Sequence, residues 1–368
     1  MKVATKPEGK GARKMITLQD VLAAVGVVFN GIPMMIFAMS YGFMAAPTAI
    51  GYMIGAGGML AFGTVTPISI QAGTIALVGT MGRTLRERIS ISAFSGIIMA
   101  VVGMFGLVHT VMEFAGARVV FGMQAGVGII LAKVALGMIK SDRFVGLISL
   151  AVAIAVYLPT LDLVYTVVAS VAVSSAAYFF RNKERPEEVH TERYKLTFYK
   201  PEFNYNVVRG ALALACLTVG SNIAFGNITA GMSGTTADID ALTIYSGLAN
   251  VAAFVGAAPV ETIISATGAA PNPAASGIIM MLMMAVILLT GTLTKLAKFV
   301  PMQSIAGFLF VIGAFATVPG NAMNAFNGAE RAEQLGASFA LLVTALTDPF
   351  LGLLVGTIVR LLTPIFSL

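Results

Sequence analysis

Residues 256–273 read GAAPVETIISATGAAPNP. They put a carboxylate, Glu261, two residues after Pro259, between two long apolar runs that otherwise exclude charge. Pro259 removes a backbone donor and disfavours helix in the residue before it. The β-branched run Val260, Thr262, Ile263, Ile264 then reads as extended chain before the helix-permissive SATGAA. The segment is too short to cross a bilayer as a continuous helix, which needs about 20 apolar residues.

A partner stretch lies 192 residues earlier. GTVTPISIQAGTIALVG, residues 63–79, has Pro67 where the later stretch has Pro259, and Ile68, Ser69, Ile70 before its glycine. The same offset joins Asn30 to Asn222 and Phe62 to Phe254, and makes Ser69 the counterpart of Glu261. Short segments interrupted by Gly and Pro at matching places in two halves point to a transporter binding site. Their non-helical backbone must face protein or a water-filled cavity, because unmet amides in lipid cost several kcal/mol each.

The rest of the chain fits a membrane protein. Its 368 residues are 57% hydrophobic and only 11% charged, and mean hydropathy is +0.89; soluble domains carry about 25% charged residues. Apolar segments fall at about 17–38, 46–62, 68–81, 90–112, 118–139, 144–158 and 161–180, then 207–229, 241–258, 262–271, 274–294, 299–317, 335–347 and 349–366. The expected organisation is a basic tail (1–16), a first membrane repeat (17–180), a charged linker (181–206) and a second repeat (207–368). An odd number of segments per half inverts one repeat relative to the other. The fold class is therefore an all-α polytopic membrane protein, a seven-plus-seven inverted repeat whose third and tenth segments are each a short extended stretch plus a half-helix.

Candidate site residues follow from the broken segments. An acid at membrane depth costs about 2.5–3.5 kcal/mol on insertion scales and marks pathways and proton relays, so Glu261 is the candidate for substrate binding and proton coupling. The plainer alternative is that it answers amides freed beside Pro259. Asn222 and Asn227 offer amides that donate and accept, or else bond between helices; Ser221 and Thr229 lie beside them, and Thr262 follows Glu261. Ser69 and Gln71 hold analogous places in the third segment. Helices starting near Gly73 and Gly268 would present N-terminal amides to a substrate. His109 beside Glu113 reads as structural, Lys133 as snorkelling, and Asp162 and Asp348 as helix caps. One cysteine, Cys216, and two histidines leave no metal spacing. No P-loop, HExxH or GxSxG motif is present. These features argue against an enzyme, a cofactor and nucleic-acid binding. The net charge of +6 belongs to topology and lipid headgroups.

The chain resembles the xanthine/uracil permease family of nucleobase–cation symporters, including its guanine/hypoxanthine branch. The likeness lies in the architecture and in SGLANVAAFVGAAPVETIISATGA (246–269) and FVPMQSIAGFLFVIGAF (299–315). It implies core and gate domains, a nucleobase between the third and tenth segments, and an acid in the tenth contacting the base, for which Glu261 is the candidate. That family's acid lies further past the proline, and its eighth segment often carries a second acid where Asn222 stands. The architecture is shared with sulfate permease-like anion transporters, which GLANVAAFVGAAPV (247–260) resembles equally. Those commonly carry a cytoplasmic regulatory domain after the last span, whereas this chain stops at Leu368, and an acid would repel an anion. The expected function is thus proton-coupled nucleobase symport (Na⁺ being the other coupling ion) in the cell membrane, with a homodimer compatible; the alternative is anion transport or exchange. The family topology puts residues 82–89 and the linker outside, yet these, with 140–143 and 295–298, hold most of the Lys and Arg, against the positive-inside rule.

Overall fold

The computed structural model describes residues 16–182, 196–293 and 299–365. The expected tail, apart from Ile16, and linker residues 183–195 lie outside the described residues. Eight helices among the described residues are long and apolar enough to cross a membrane, and the chain is a multi-pass membrane protein.

The first half runs α1 (Leu18–Ser40), α2 (Ala45–Phe62), β1 (Ile68–Ser69), α3 (Ala72–Met81), α4 (Leu85–Met104), α5 (Val108–Ala115), α6 (Ala117–Ser141), α7 (Arg143–Thr160) and α8 (Leu163–Asn182). The second runs α9 (Tyr205–Met232), α10 (Ile239–Val251), β2 (Glu261–Thr262), α11 (Pro273–Leu289), α12 (Met302–Phe326), α13 (Arg331–Leu346) and α14 (Pro349–Leu362). Local chemistry sets many boundaries. Thr17 and Asp20 close a capping box on α1, and Asn204 and Asp238 cap α9 and α10. Asp348 accepts from the Leu351 amide at 3.0 Å, and Asp162 from Val164 at 2.7 Å, so both expected caps are present.

Three expected segments differ. The fourth begins at Leu85, earlier than expected, because Thr84 caps it by accepting from the Glu87 amide. It stops at Met104 because Gly106 adopts φ 63°, a left-handed conformation that suits glycine. The remainder becomes α5, whose His109 and Glu113 are exposed and 3.5 Å apart. The twelfth continues to Phe326 through a π turn at Ile312–Thr317, which lies just before Pro319, where a regular helix would lose a donor. The tenth shrinks to β2 and one 3-10 turn, Ala266–Ala269. No half-helix starts near Gly268; the next helix waits for Pro273, since Pro271 and Pro273 bracket Asn272 and proline is favoured only at a helix's first turn.

The helices pack in two groups. In one, α2 and α1 lie on α11 while α10 and α9 lie on α4, with α3 against α9. In the other, α6 packs on α12 and α13, α7 on α8 and α12, and α13 on α14. Small residues allow the close crossings. At Gly307 of α12 an added Cβ would fall 2.1 Å from the Ser149 carbonyl oxygen of α7, and the Gly307 amide donates to the Ser149 hydroxyl at 2.9 Å. Gly307→Ala is therefore expected to lower stability by about 2 kcal/mol, the middle of the overpacking range, read as a lower melting temperature in detergent; an unchanged melt would contradict this packing.

Candidate functional site

β1 and β2 pair antiparallel at the centre of the first helix group, with Ser69 opposite Glu261 and Ile68 opposite Thr262. Ser69 and Glu261, the 192-residue counterparts, thus face each other in this pair. With so few ladder bonds, side chains answer the extended backbone. Val260 donates to Asn250 Oδ1 at 2.7 Å, Ala258 to Thr48 Oγ1 at 2.8 Å and Ile70 to Tyr52 Oη at 3.3 Å. Tyr245 Oη donates to the Thr66 carbonyl, and Thr229 Oγ1 donates to Ile263 O at 2.9 Å while accepting from Ser265 N. Of these side chains, only Thr229 is suggested by the sequence. Thr48, Tyr52, Tyr245 and Asn250 are buried polar groups on glycine- and alanine-rich helices, and that contrast is the signal that would find them.

Glu261 is 3% exposed, and its Oε2 makes no hydrogen bond. The Ser221 side chain of α9 lies beside its carboxyl. None of the ion pairs among the described residues includes it. A bare carboxylate is costly in such a place unless it is paired or neutralised. Thr218, one turn before Ser221 on α9, is buried with Oγ1 unpartnered; Asn30 Oδ1 on α1 is likewise buried and unpartnered.

Asn222 is brought to the strands but is fully employed there. Its Nδ2 donates to Thr243 Oγ1 at 3.1 Å and Ser246 Oγ at 3.0 Å, and its Oδ1 accepts from Thr262 Oγ1 at 2.7 Å. Ser69 Oγ is 2.8 Å from Tyr52 Oη. Asn227 is exposed and is not brought to this cluster. Gly268 packs its Cα against α9, where a Cβ would fall 2.6 Å from Thr229 O.

The α3 end is different. Gln71 is the N-cap, makes no side-chain cap bond and is half-buried, as is Gly73. The amides of Ala72, Gly73 and Thr74 find no partner among the described residues. A Cβ on Gly73 would meet only Val127 of α6 at 3.8 Å and Leu217 of α9 at 3.9 Å, so there is room beside these donors. Gln124, one turn before Val127 and absent from the sequence reading, is 3% exposed and donates to Leu217 O at 3.5 Å. Such an end carries about half a positive charge and binds anions through free amides. The described residues hold no cluster of His, Cys, Asp and Glu suited to a metal ion.

No family model and no curated protein matches the sequence. Solved structures do match in fold. The transmembrane domain of a cyanobacterium bicarbonate transporter, BicA, superposes with a TM-score of 0.70 at 14% identity, over 92% of this chain and 96% of that one. SLC26A9 gives 0.69 at 15%, over 95% and 65%. The murine anion transporter Slc26a9 in its inward-facing state gives 0.69 at 15%, over 97% and 70%. Among these structures are a bicarbonate transporter and an anion transporter. They overturn the resemblance to nucleobase permeases and, with it, the expectation of nucleobase symport. The physical reason for the error is that the two families share their broken third and tenth segments, so a pattern of prolines, glycines and apolar runs does not separate them.

Proposed function

We propose that this chain is a secondary transporter of small anions, in which the uncapped N-terminus of α3 holds the anion and Glu261 takes up a proton that travels with it. The observation that carries the proposal is the start of α3 inside the fold, with three free amides and half-buried Gln71 and Gly73. The fold likeness to anion transporters supports it. Gln71, Gly73 and Ser69 form one side of the site and Glu261 the other, while Asn222 and Thr262 hold β2 in place. The second half supplies no matching helix start, only a 3-10 turn, so the positive field comes from α3 alone. An ionised Glu261 opposes an anion there; protonated, it is neutral and can donate. One monovalent anion and one proton then cross together as a neutral pair. The inverted-repeat reading is supported by the shared offset and by the reciprocal packing of α2 on α11 and α10 on α4.

Purified protein in liposomes tests this with labelled chloride and sulfate and with bicarbonate as competitor, at equal and at outside-acid pH. Saturable uptake of at least one anion, faster with acid outside, is expected. Uptake no greater than in empty liposomes under both conditions would overturn the reading.

A further inference from the structure

We infer that Arg88, at the opposite end of α3 from the proposed anion, is a positioning residue that sets the electrical polarity of that helix; the inference rests on the anion reading above. α3 has ten residues, about 15 Å at 1.5 Å per residue, and its ends are treated differently. The N-terminal end has no side-chain cap. The C-terminal end is held by one guanidinium. Arg88 Nε donates to the carbonyl of Gly82, the C-cap of α3, at 2.9 Å, and Nη1 donates to the carbonyl of Tyr41, the C-cap of α1, at 2.8 Å. Its guanidinium carbon stands 5.2 Å from the centre of the Tyr41 ring.

Two glycines permit this joint. A Cβ on Gly82 would fall 2.5 Å from Arg88 Cγ, and one on Gly79 would fall 2.4 Å from the Tyr41 ring. No carboxylate pairs with Arg88 among the described residues; its neighbour Glu87 accepts instead from the Arg83 amide and from Asn204 Nδ2. A bare helix C-terminus carries about half a negative charge, which weakens the potential at the other end. A full positive charge on that carbonyl more than offsets it, and an arginine keeps its charge at every accessible pH. Over about 15 Å at an effective dielectric of about 35, between that of near-surface pairs and that of water, a unit charge changes affinity for a monovalent anion by about threefold, and for a divalent anion by about tenfold, because the energy scales with ligand charge.

The test compares Arg88→Lys with Arg88→Gln in liposomes, reading half-saturating concentrations for chloride and sulfate (as substrate or as competing inhibitor) alongside melting temperature. Both variants lose the two-pronged carbonyl contact and are expected to melt lower. Only Gln is expected to weaken chloride about threefold and sulfate about tenfold, with Lys within about twofold of wild type. Lys and Gln weakening chloride alike, or Gln shifting both anions by one factor, would show a merely structural role and sink the inference. Should the Gln variant not fold, Tyr41→Leu removes the ring but keeps the charge: unchanged half-saturation supports the inference and weakened binding opposes it. A wild-type protein that takes up and binds neither anion defeats the underlying reading instead.

Discussion

Glu261→Gln is expected to abolish the acceleration of anion uptake by external acid while leaving uptake at equal pH measurable. Glutamine has the size of the protonated acid and its hydrogen-bonding character, but it cannot exchange a proton. The sign follows from the site. The protonated form is the one that admits the anion, so wild-type uptake is present at low pH and is lost as pH rises through the titration of Glu261. The alkaline limb should fall about tenfold per pH unit, the slope of one linked proton. The variant should give a flat profile near the wild-type acid plateau, with no accumulation driven by a pH gradient alone. Uptake against pH from 5 to 9, with and without a gradient, reads both quantities. A variant profile as steep as the wild type would assign coupling to another group.

Much of this site was legible because backbone chemistry writes itself into sequence. Pro67 and Pro259 disfavour regular helix where they stand, and the offset they share with Asn30 and Asn222 marks the two stretches as counterparts. That Ser69 lies opposite Glu261 comes from the structure, since an offset does not fix an antiparallel register. Glu261 itself stands out because a lone acid is expensive among apolar residues.

What was not legible depends on geometry that residue types leave open. SATGAA is compatible with a half-helix, and only the closing of Pro271–Asn272–Pro273 onto α1 explains why it becomes one turn. Asp20 at the start of α1 accepts from the Asn272 amide at 2.7 Å and from its Nδ2 at 2.8 Å, and Ser276 donates to the Asp20 carbonyl at 2.6 Å. These contacts join residues more than 250 positions apart, beyond the reach of any local pattern. The substrate class was misread for a related reason. Glu261 was weighed as a charge that would repel an anion, although the same reading made it the proton-coupling residue. In the proposed cycle the proton on Glu261 removes that repulsion.

The largest stability loss is expected from Asn222→Leu. The amide ties three elements together: α9 carries it, Thr243 and Ser246 of α10 receive its hydrogens, and Thr262 of β2 donates to its oxygen. All four residues are fully buried. Hydrogen bonds between membrane helices average about 0.6 kcal/mol each, because the unfolded chain in lipid finds other partners. Leucine also strands the Thr262 hydroxyl, an unmet buried donor that costs about 1–3 kcal/mol. The sum is about 3 kcal/mol, for a side chain with the same number of heavy atoms. Ser246 is partly protected, since it also donates to the Leu242 carbonyl at 2.7 Å. Thr262→Val removes the donor that leucine would strand, so the double variant should be less destabilised than the sum of the singles by about 1 kcal/mol or more. Melting of all four proteins in one detergent measures that coupling. Strict additivity would mean that Asn222 does not hold β2, and that the strand carrying Glu261 is kept in register by its backbone pairing and by Thr229 alone.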